Sequence, residues 1–445
     1  MNDTAVHADE PSIAELIAAR PQLRMDAMDG LLLEGVPLNA IADALGTPAW
    51  VYGAGTMRAR YGALADAIRA AGLDAHIHYA VKANDHLAVL RVFAAEGAGA
   101  DVVSGGELAR ALAAGVPASR VVFSGVGKTN DELWLALSHD VAQINVESAE
   151  ELARLSALAV AANATARVAL RVNPDVDAGT HGKIATGRAG DKFGIAHDEI
   201  VPLYRHAAAL PGIRPIGLAV HIGSQIRSMA PYRTAFARVA DLVRALRAEG
   251  LSVEVADCGG GLGIGYRNEP EASPAALAGA IRAAFGDLGV RLVRLVLEPG
   301  RWLVAGAGVL LASVIQEKHS GGVRFVVLDA AMNDLLRPSL YEAWHGVVPV
   351  AAADAVAATT EADIVGPVCE TGDTFARARR LPKLRNNSRV AILDAGAYGA
   401  VMSSTYNARP LAAQAMVDGE NWAPIRARQP VEALWQAECI PDWME

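Results

Sequence analysis

The sequence of 445 residues predicts a (β/α)8 barrel followed by a mostly β domain. Eight short apolar segments alternate with amphipathic runs in which apolar residues recur at helical spacing. Ser/Thr-x-x-Glu pairs, which are typical of helix starts, follow three of the apolar segments. After Arg301 the alternation stops, and strand-like runs follow one another directly. A doubly wound open sheet is the competing topology for the same alternation.

The predicted barrel strands are short apolar runs that end at polar or glycine-rich joints. In chain order they read AHIHYAVKAN, GADVVS, RVVFSG, AQINVES, RVALRVN, PIGLAVHIGS, VEVADCGGG and LVRLVLEPGR. The helical runs between them include ELARALAAG, DELWLALSH, EELARLSALAVAA and YRTAFARVADLVRALRAEG. The predicted capping pairs are Ser104 with Glu107, Thr129 with Glu132, and Ser148 with Glu151.

The length of the chain predicts two domains, because one ordinary core does not grow to this size. We expect a loosely held extension over residues 1–24 and short strands over 25–50 that pair with the β domain. The barrel is assigned to 51–305 and the C-terminal β domain to 306–445. Within the β domain, Ser320-Gly321-Gly322 predicts a hairpin turn. Residues 179–199, rich in glycine and charge, predict a long functional loop at the barrel mouth.

Composition and charge exclude several classes of protein. No apolar run approaches the roughly 20 residues that a spanning helix needs, and the acidic N-terminus is not a signal peptide. The net charge of −9 with dispersed basic residues argues against nucleic acid as a partner. Cys258, Cys369 and Cys439 stand at unrelated spacings, which argues against disulfides or a zinc site. We therefore expect a cytoplasmic protein with no membrane partner.

A barrel enzyme carries its chemistry at the C-terminal ends of the strands. Lys82 ends the first predicted strand, where burial would make its amine more nucleophilic and suited to a Schiff base. The alternative is a lysine that extends from the strand end to water. Asp101 lies in the second strand. His221 ends the sixth, either as a core histidine or as a flat ring stacked on a cofactor.

The glycine run at Gly259, Gly260 and Gly261 follows the seventh strand. It allows backbone N–H groups to approach a phosphate, although a plain tight turn would read the same. The run does not fit the dinucleotide fingerprint, because Ile264 stands where the last glycine belongs. A P-loop ending at Gly127-Lys128-Thr129 fails too, since position 122 is valine. The sequence thus argues against nucleotide binding.

Two further groups of polar residues have more than one interpretation. Glu298 and Arg301 either form a salt bridge or bind a ring nitrogen and a substrate carboxylate. His76 and His78 share one strand face, but no third ligand lies near, so we expect no metal. In the β domain, Cys369 is either a core filler or a proton carrier. Three residues there have no function assigned from spacing alone: Arg337, Tyr341 and Tyr398.

Taken together, the motifs resemble the fold type III pyridoxal-phosphate decarboxylases from about Leu31 onward. The matching segments are YAVKAN, DVVSGGEL, HGKIATG with KFGI, HIGSQ, DCGGGLGI, EPGR, RPSLYEAWH, CETGD and AGAYGAVMSSTYN. The family fold is a barrel that binds pyridoxal 5'-phosphate (PLP) plus a C-terminal β domain. Two departures are small: KIATG replaces ISTG, and CETGD replaces the commoner CESGD.

The resemblance implies a role for each matching residue. Lys82 would hold PLP covalently, His221 would stack on its ring, and Glu298 would pair with the ring nitrogen. The implied cofactor-binding residues are Lys82, Asp101, His221, Ser224, Gly260, Gly261, Glu298, Gly300, Arg301 and Tyr398. The implied substrate-binding residues are Arg301, Arg337, Tyr341, Glu370 and Tyr398. Cys369 matches the proton donor of the family. In the family, the residues matching Cys369 and Glu370 reach the partner's site, which implies a homodimer.

The implied activity is decarboxylation of meso-2,6-diaminopimelate to L-lysine. A carboxylate at Glu298 favours decarboxylation, because an alanine racemase is expected to place an arginine against the ring nitrogen. Arg337 would bind the far carboxylate of the substrate and Glu370 its far ammonium. A sister decarboxylase acting on carboxynorspermidine, D-ornithine or arginine is the alternative. A PLP carrier with a barrel alone would lack the β domain and the Cys369-Glu370 element.

Overall fold

The computed structural model describes residues 10–179, 186–188, 190–288 and 294–444. The chain divides into two compact units. The barrel unit comprises Met57–Ile264 and Pro270–Val304. The β unit comprises Met1–Thr56, Gly265–Glu269 and Ala305–Glu445. Among the described helices, none combines the length and the apolar character that crossing a bilayer requires.

The barrel unit contains a closed parallel sheet. Its strands, in chain order, are β5 (Ala75–Ala80), β6 (Gly99–Val102), β7 (Val121–Phe123), β8 (Gln143–Val146), β9 (Ala166–Asn173), β10 (Ile195–Ala196), β11 (Ile213–Val220), β12 (Val255–Asp257) and β13 (Arg294–Leu297). The hydrogen-bonded order is β10-β9-β11-β12-β13-β5-β6-β7-β8, and β8 also pairs with β9. That last pairing closes the ring, while the short β10 lies beside β9. The predicted barrel and all eight of its strands are confirmed.

A helix follows each strand of the ring. These helices, with α3 before them, are α3 (Ala54–Ala70), α4 (Leu87–Ala95), α5 (Gly105–Ala113), α6 (Asn130–Ser138), α7 (Ala149–Ala161), α8 (Ile200–Ala209), α9 (Ala230–Ala248), α10 (Pro274–Phe285) and α11 (Arg301–Val304). Thr129 and Glu132 form the complete capping box that was predicted. Ser104 and Ser148 also cap their helices.

In a capping box the glutamate side chain accepts the backbone N–H of the N-cap residue. The glutamates paired with these two serines instead accept the N–H of the residue before the N-cap. Glu107 accepts the backbone N–H of Val103, and Glu151 accepts that of Glu147. Both bonds fix the last residues of the preceding strand-to-helix joint. The two predicted boxes are therefore half-boxes whose carboxylates hold the strand ends.

The barrel interior changes from apolar to polar toward the C-terminal strand ends. Val122, Ile216, Val255 and Val296 form a central cluster with each side chain at most 2% exposed. Side chains two residues apart on a strand share a face. Asp257 therefore follows Val255 into the interior, and Glu298 follows Val296. This alternation places carboxyl groups directly beyond the apolar layer.

The β unit is built on mixed sheets. Its strands are β1 (Leu23–Asp26), β2 (Gly30–Leu33), β3 (Val36–Pro37), β4 (Ala49–Gly53), β14 (Gly308–Ser320), β15 (Val323–Leu328), β16 (Val347–Pro349), β17 (Thr359–Val365), β18 (Thr374–Pro382), β19 (Arg389–Ile392), β20 (Ala413–Asp418) and β21 (Asn421–Arg426). The large sheet runs β18-β17-β15-β14-β4-β20-β21, with β19 joining β14 to β16. Strands β14 and β15 form the predicted hairpin, with Gly321 and Gly322 at positive φ.

The N-terminal part of the β unit is more tightly packed than the sequence suggests. Its helices are α1 (Ile13–Ala18) and α2 (Leu38–Leu45), and those after the barrel are α12 (Arg337–Tyr341) and α13 (Ala352–Ala355). Ile13 and Leu16 on α1 belong to the hydrophobic core of the unit, so this part of the 1–24 segment is not loosely held. The segment's first nine residues lie outside the described residues. Strands β1, β2 and β3 form their own antiparallel sheet, whereas β4 joins the large sheet.

Candidate active site

A cavity of about 420 Å³ lies at the C-terminal ends of the barrel strands. Its size suits a cofactor-sized ligand. Polar groups that line it include Lys82, Ser124, Asn145, Arg171, His221 and Glu298. The lysine, the imidazole and the carboxyl group that the sequence singled out therefore face one space, although they lie far apart in the sequence.

Lys82 is held beside a buried carboxylate. A single 3-10 turn over Val81–Ala83 follows β5 and carries the lysine. Lys82 Nζ lies 3.1 Å from Asp101 Oδ2, and the lysine side chain remains 35% exposed while Asp101 is fully buried. Asp101 stands opposite Ala80 in the β5–β6 register, which fixes its height in the barrel. The other oxygen, Oδ1, is buried with no hydrogen-bond partner among the described residues.

His221 is set up as a neutral ring. The backbone N–H of Gly260 donates to its Nδ1 at 3.2 Å, so the ring proton of the neutral form lies on Nε2. Burial lowers the pKa of His221 well below its usual value, and the nearby cations Lys82 and Arg171 lower it further. A neutral imidazole next to the amine can pack on an aromatic cofactor without repelling a cation.

Glu298 and Asp257 form a pair of buried carboxyl groups in the barrel interior, joined through the side-chain amide of Asn145. Burial raises the pKa of Glu298 well above its usual value, and the negative charges of Asp101 and Asp257 raise it further. Burial also raises the pKa of Asp257. Two neighbouring buried carboxyls cannot both ionise at low cost. Asn145 Nδ2 lies 3.3 Å from Asp257 Oδ2 and 3.4 Å from Glu298 Oε1.

The glycine turn after β12 can be built only from glycine. Gly259 and Gly261 have φ of +64° and +103°. A Cβ atom at Gly260 would lie 2.1 Å from the carbonyl oxygen of Glu298. At Gly261 it would lie 2.4 Å from the carbonyl oxygen of Gly223. The turn is therefore packed between neighbouring strand ends, and the N–H groups of Gly259 and Gly260 donate within the chain, to Asp257 and His221.

Arg301 begins α11 directly after Gly300 and is buried. Its Nη2 and Nε lie 3.1 and 3.3 Å from Ser224 Oγ. A Cβ atom at Gly300 would lie 2.9 Å from that of Ala83, so Gly300 lets this helix approach the turn that carries Lys82. The arginine and the serine hydroxyl thus form one donor group near the ends of β11 and β13.

These residues fit PLP, which is implied by the sequence resemblance. The amine of Lys82 can react with an aldehyde, and buried Glu298 can accept a hydrogen bond from a protonated ring nitrogen. A glycine N–H, a hydroxyl and a guanidinium are donors of the kinds that phosphate groups prefer. The partnerless Oδ1 of Asp101 supplies one further buried acceptor.

In the β unit, Arg337 lies in a rigid aromatic setting. Its Nη1 lies 2.6 Å from His345 Nε2, and its guanidinium carbon lies 4.7 Å from the ring centre of Tyr266. The side chain is buried on α12, and Tyr341 ends the same helix. A guanidinium held in this way keeps a fixed orientation toward a carboxylate.

Cys369, Glu370 and Tyr398 lie on loops of the β unit. Cys369 is exposed, and its N–H donates to Asn407 Oδ1 at 2.9 Å. Glu370 is exposed and accepts the N–H of Gly372 at 3.3 Å. Tyr398 has φ of +55°, a left-handed conformation that is strained for a tyrosine. Strained backbone of this kind is often found at functional sites.

Three residues that shape the site were not assigned a function from the sequence: Asn145, Arg171 and Asp257. Arg171 Nη1 donates to Glu147 Oε1 at 2.8 Å, and its guanidinium lies over the ring of Phe193. Asn145 and Arg171 are polar residues near the C-terminal ends of β8 and β9, where a barrel carries its chemistry, and this is the signal that could have identified them. Asp257 is the first residue of DCGGG, and a carboxylate at the end of an apolar strand, directly before a glycine turn, is the signal for it.

The loop over 179–199 is described only in part, since 180–185 and 189 lie outside the described residues. Most of the HGKIATG motif falls there. Of the described part, Thr186 lines the cavity, and its Oγ1 donates to the carbonyl oxygen of His221 at 2.9 Å. The later part of the loop therefore reaches the site.

Lys128, which resembled the lysine of a P-loop, is fully buried. Its Nζ donates at 2.7 Å to the carbonyl oxygens of Gly125 and Asn145 and to Glu151 Oε1. An ammonium group has three donors. All three are used within the chain, which agrees with the argument against nucleotide binding.

Comparisons with known proteins identify similar chains over nearly the full length. A family model described as pyridoxal-dependent decarboxylase, pyridoxal binding domain, matches residues 55–305. Diaminopimelate decarboxylase of Zymomonas mobilis is 46% identical over 420 residues, 93% of this chain and 98% of that protein. The enzyme of the same name from Pseudomonas aeruginosa is 48% identical over 410 residues, 92% of this chain and 97% of that protein.

Solved structures show the same similarity. The crystal structure of diaminopimelate decarboxylase from Helicobacter pylori complexed with L-lysine has a TM-score of 0.86 at 36% identity, covering 90% of this chain and 98% of that one. The diaminopimelate decarboxylase from M. jannaschii in complex with L-lysine has a TM-score of 0.90 at 32% identity, covering 96% and 100%.

Proposed function

Because this chain belongs to the pyridoxal-dependent decarboxylase family, we propose that it converts meso-2,6-diaminopimelate to L-lysine and carbon dioxide, the last step of lysine biosynthesis. The observation that carries the proposal is the cavity that Lys82, His221 and Glu298 line together. The choice of substrate is supported by two relatives named diaminopimelate decarboxylase, each of which matches more than nine-tenths of the chain.

PLP, when bound, accepts the electron pair that remains on the α carbon after carbon dioxide leaves. Lys82 is the residue that holds the cofactor, and its amine faces the cavity beside Asp101. As a carboxylate, Glu298 would accept a hydrogen bond from the protonated ring nitrogen and thereby keep that nitrogen cationic. A buried acidic partner strengthens this effect, because little solvent screens it.

The other barrel residues orient the cofactor. His221 offers a neutral ring surface fixed by the Gly260 N–H. Ser224 and Arg301 provide donors for the phosphate, together with the last N–H of the glycine turn, since those of Gly259 and Gly260 already donate to Asp257 and His221. Each group is held at or near a strand end before the cofactor binds. These side chains therefore lose little conformational entropy on binding.

The β unit provides groups that match the far end of the substrate. Arg337 is assigned to the far carboxylate and Glu370 to the far ammonium, with Tyr341 and Tyr398 completing the contacts. Cys369 is assigned the return of a proton to the α carbon, which suits an exposed thiol. Such a pair of opposite charges selects a zwitterionic end over a plain amine.

We also propose a cytoplasmic homodimer in which the partner supplies Cys369 and Glu370. The exposure of both residues in the single chain supports this assignment. The three free cysteines agree with a reducing compartment. In this scheme residues 51–305 bind the cofactor, and residues 306–445 supply the substrate and dimer contacts.

A turnover assay tests the function. The purified protein is loaded with PLP and incubated with meso-diaminopimelate, and both carbon dioxide and lysine are measured. Parallel reactions contain carboxynorspermidine, D-ornithine or arginine. We expect kcat/KM to be highest with meso-diaminopimelate by orders of magnitude. A higher kcat/KM with one of the other compounds would reassign the substrate, and no turnover with any of them would overturn the proposal.

A further inference from the structure

We infer that Asp257 is a positioning residue for the cofactor: it holds Glu298 and the glycine turn together and keeps the ring nitrogen of PLP protonated. The inference rests on the proposed function, because it concerns the bound cofactor. Asp257 is 1% exposed and ends β12 on the interior face.

The contacts of Asp257 show that the protein is built to hold it as an anion. Gln143 Nε2 donates to its Oδ2 at 2.9 Å, and Asn145 Nδ2 approaches the same oxygen at 3.3 Å. The N–H of Gly259 donates to Oδ1 at 3.0 Å. Three donors from three different positions satisfy one buried carboxylate. An ionised carboxylate gains more from such donors than a protonated one.

The two amides are themselves fixed. Gln143 Nε2 also lies 2.7 Å from Asn145 Oδ1, and Asn145 Nδ2 lies 3.0 Å from Ser124 Oγ. Gln143 and Asn145 stand at alternate positions of β8, so both point to the barrel interior. The network is therefore anchored on β8, three strands around the ring from β12.

Asp257 also connects the two ends of the cofactor site. Through Asn145 Nδ2, which lies 3.3 Å from Asp257 Oδ2 and 3.4 Å from Glu298 Oε1, it is joined to Glu298, the residue assigned to the ring nitrogen in the proposed function. Through the Gly259 N–H it contacts the turn assigned to the phosphate. The backbone closes the same loop, because the N–H of Glu298 donates to the carbonyl oxygen of Gly259 at 2.7 Å. A shift of Asp257 would thus move both ends.

The negative charge of Asp257 favours a protonated ring nitrogen in the bound cofactor. The charged groups that act on the Glu298–Asp257 pair are Asp101, itself an anion, and Lys82. The neighbouring thiol of Cys258 stays protonated, because burial and both carboxyls raise its pKa. A cationic ring nitrogen bound to Glu298 would also be stabilised by the negative charge of Asp257, which is joined to Glu298 through Asn145. At a distance of a few ångströms in a buried site, the charge of Asp257 would raise the pKa of the ring nitrogen by more than about one unit.

The test uses Asp257→Asn, which keeps the shape and one acceptor but removes the charge. The holoenzyme is prepared with PLP labelled with a nitrogen isotope at the ring, and the nitrogen NMR shift is followed against pH. We expect the apparent pKa of the ring nitrogen to fall by about one to two units. We also expect the dissociation constant of PLP to rise about tenfold. A purely structural role would leave the pH titration of the ring nitrogen unchanged.

Two further variants serve as a control for Asp257→Asn and as a second test of the inference. Asp334→Asn removes another buried aspartate, in the β unit, and is expected to leave the ring-nitrogen titration unchanged. Gln143→Met removes one donor to Asp257 and is expected to produce a smaller shift in the same direction, so it decides the question if Asp257→Asn does not fold. Wild-type protein that takes up no PLP would overturn the proposed function. Wild-type uptake with an unchanged titration in both barrel variants would overturn the inference alone.

Discussion

The amine of Lys82 lies 3.1 Å from the carboxylate of Asp101, a residue with no exposed surface. A buried carboxylate needs a counter-charge or several donors. Lys82 supplies the counter-charge while part of its side chain still faces the cavity. The pair therefore positions the amine and keeps it accessible to a small carbonyl compound.

The first prediction concerns Lys82→Ala. We expect loss of the absorbance of covalently bound PLP and loss of turnover, because Lys82 is the only lysine among the described residues that line the cavity. Lys82→Arg is the matched control, since it keeps the positive charge beside Asp101 but cannot form the bond. Retained cofactor absorbance in Lys82→Ala would refute the assignment. A folded, inactive Lys82→Arg protein would separate chemistry from charge.

Arg337→Ala tests the binding of the far end of the substrate. We expect KM for meso-diaminopimelate to rise about a hundredfold with little change in kcat, because the lost contact is made equally in the ground and transition states. Arg337→Lys keeps the charge without the planar fork and should lie between the two. Steady-state kinetics with a thermal unfolding control decides the matter. A collapse of kcat at unchanged KM would assign Arg337 a different role.

Glu298→Gln tests the buried acid in the protein without cofactor. The folded state raises the pKa of Glu298 above 4.5, so it binds more protons than the unfolded chain between pH 4.5 and that raised value. The contribution of Glu298 to stability is therefore present at low pH and is lost as pH rises through this window. We expect Glu298→Gln to raise the Tm of the apoprotein at pH 8 by about 3 °C and to change it less at pH 5.

The same variant should lose most of its decarboxylase activity, since a neutral amide does not keep the ring nitrogen protonated. Glu254→Gln, at an exposed glutamate, is the control and should change neither quantity. Equal Tm shifts at the two pH values would contradict the raised pKa.

Subunit mixing tests the proposed shared sites. Lys82→Ala and Cys369→Ala proteins, each inactive, are unfolded together, refolded and assayed. If each site takes its lysine from one subunit and its cysteine from the other, mixed dimers contain one native site, and roughly a quarter of wild-type activity returns. Lys82→Ala mixed with His221→Ala is the control, because both changes lie in the same barrel and no native site can form. Equal activity in both mixtures would rule out sharing.

The ion pair of Lys128 with Glu151 should be essential for stability. Both side chains are at most 5% exposed, and Lys128→Ala leaves a buried carboxylate without its cation. We expect the free energy of unfolding to fall by about 3–5 kcal/mol. Arg69→Ala breaks an exposed pair with Asp66 and should cost about 0.5 kcal/mol or less. Denaturant titrations of both variants provide the comparison.

The sequence predicted the elements well because barrel strands and helices have strong local periodicities. It also located Lys82, His221 and Glu298 at strand ends, and a barrel brings strand ends together whatever their separation along the chain. The network around Asp257 was missed, because it joins residues from β8, β12 and β13 through side-chain contacts that no local pattern encodes. The packing of α1 was missed for a related reason: a short helix is stabilised by its tertiary contacts more than by its own sequence.

Along β12 and β13 the barrel interior changes from an apolar to a polar side chain within two residues. This spacing constrains how such a chain can evolve. Substitutions in these strands trade one side chain for another, but a deletion of one residue would turn Asp257 or Glu298 outward and bring an apolar neighbour into the lumen. Strand length should therefore tolerate less variation than strand composition, and insertions should accumulate in the joints on the opposite rim.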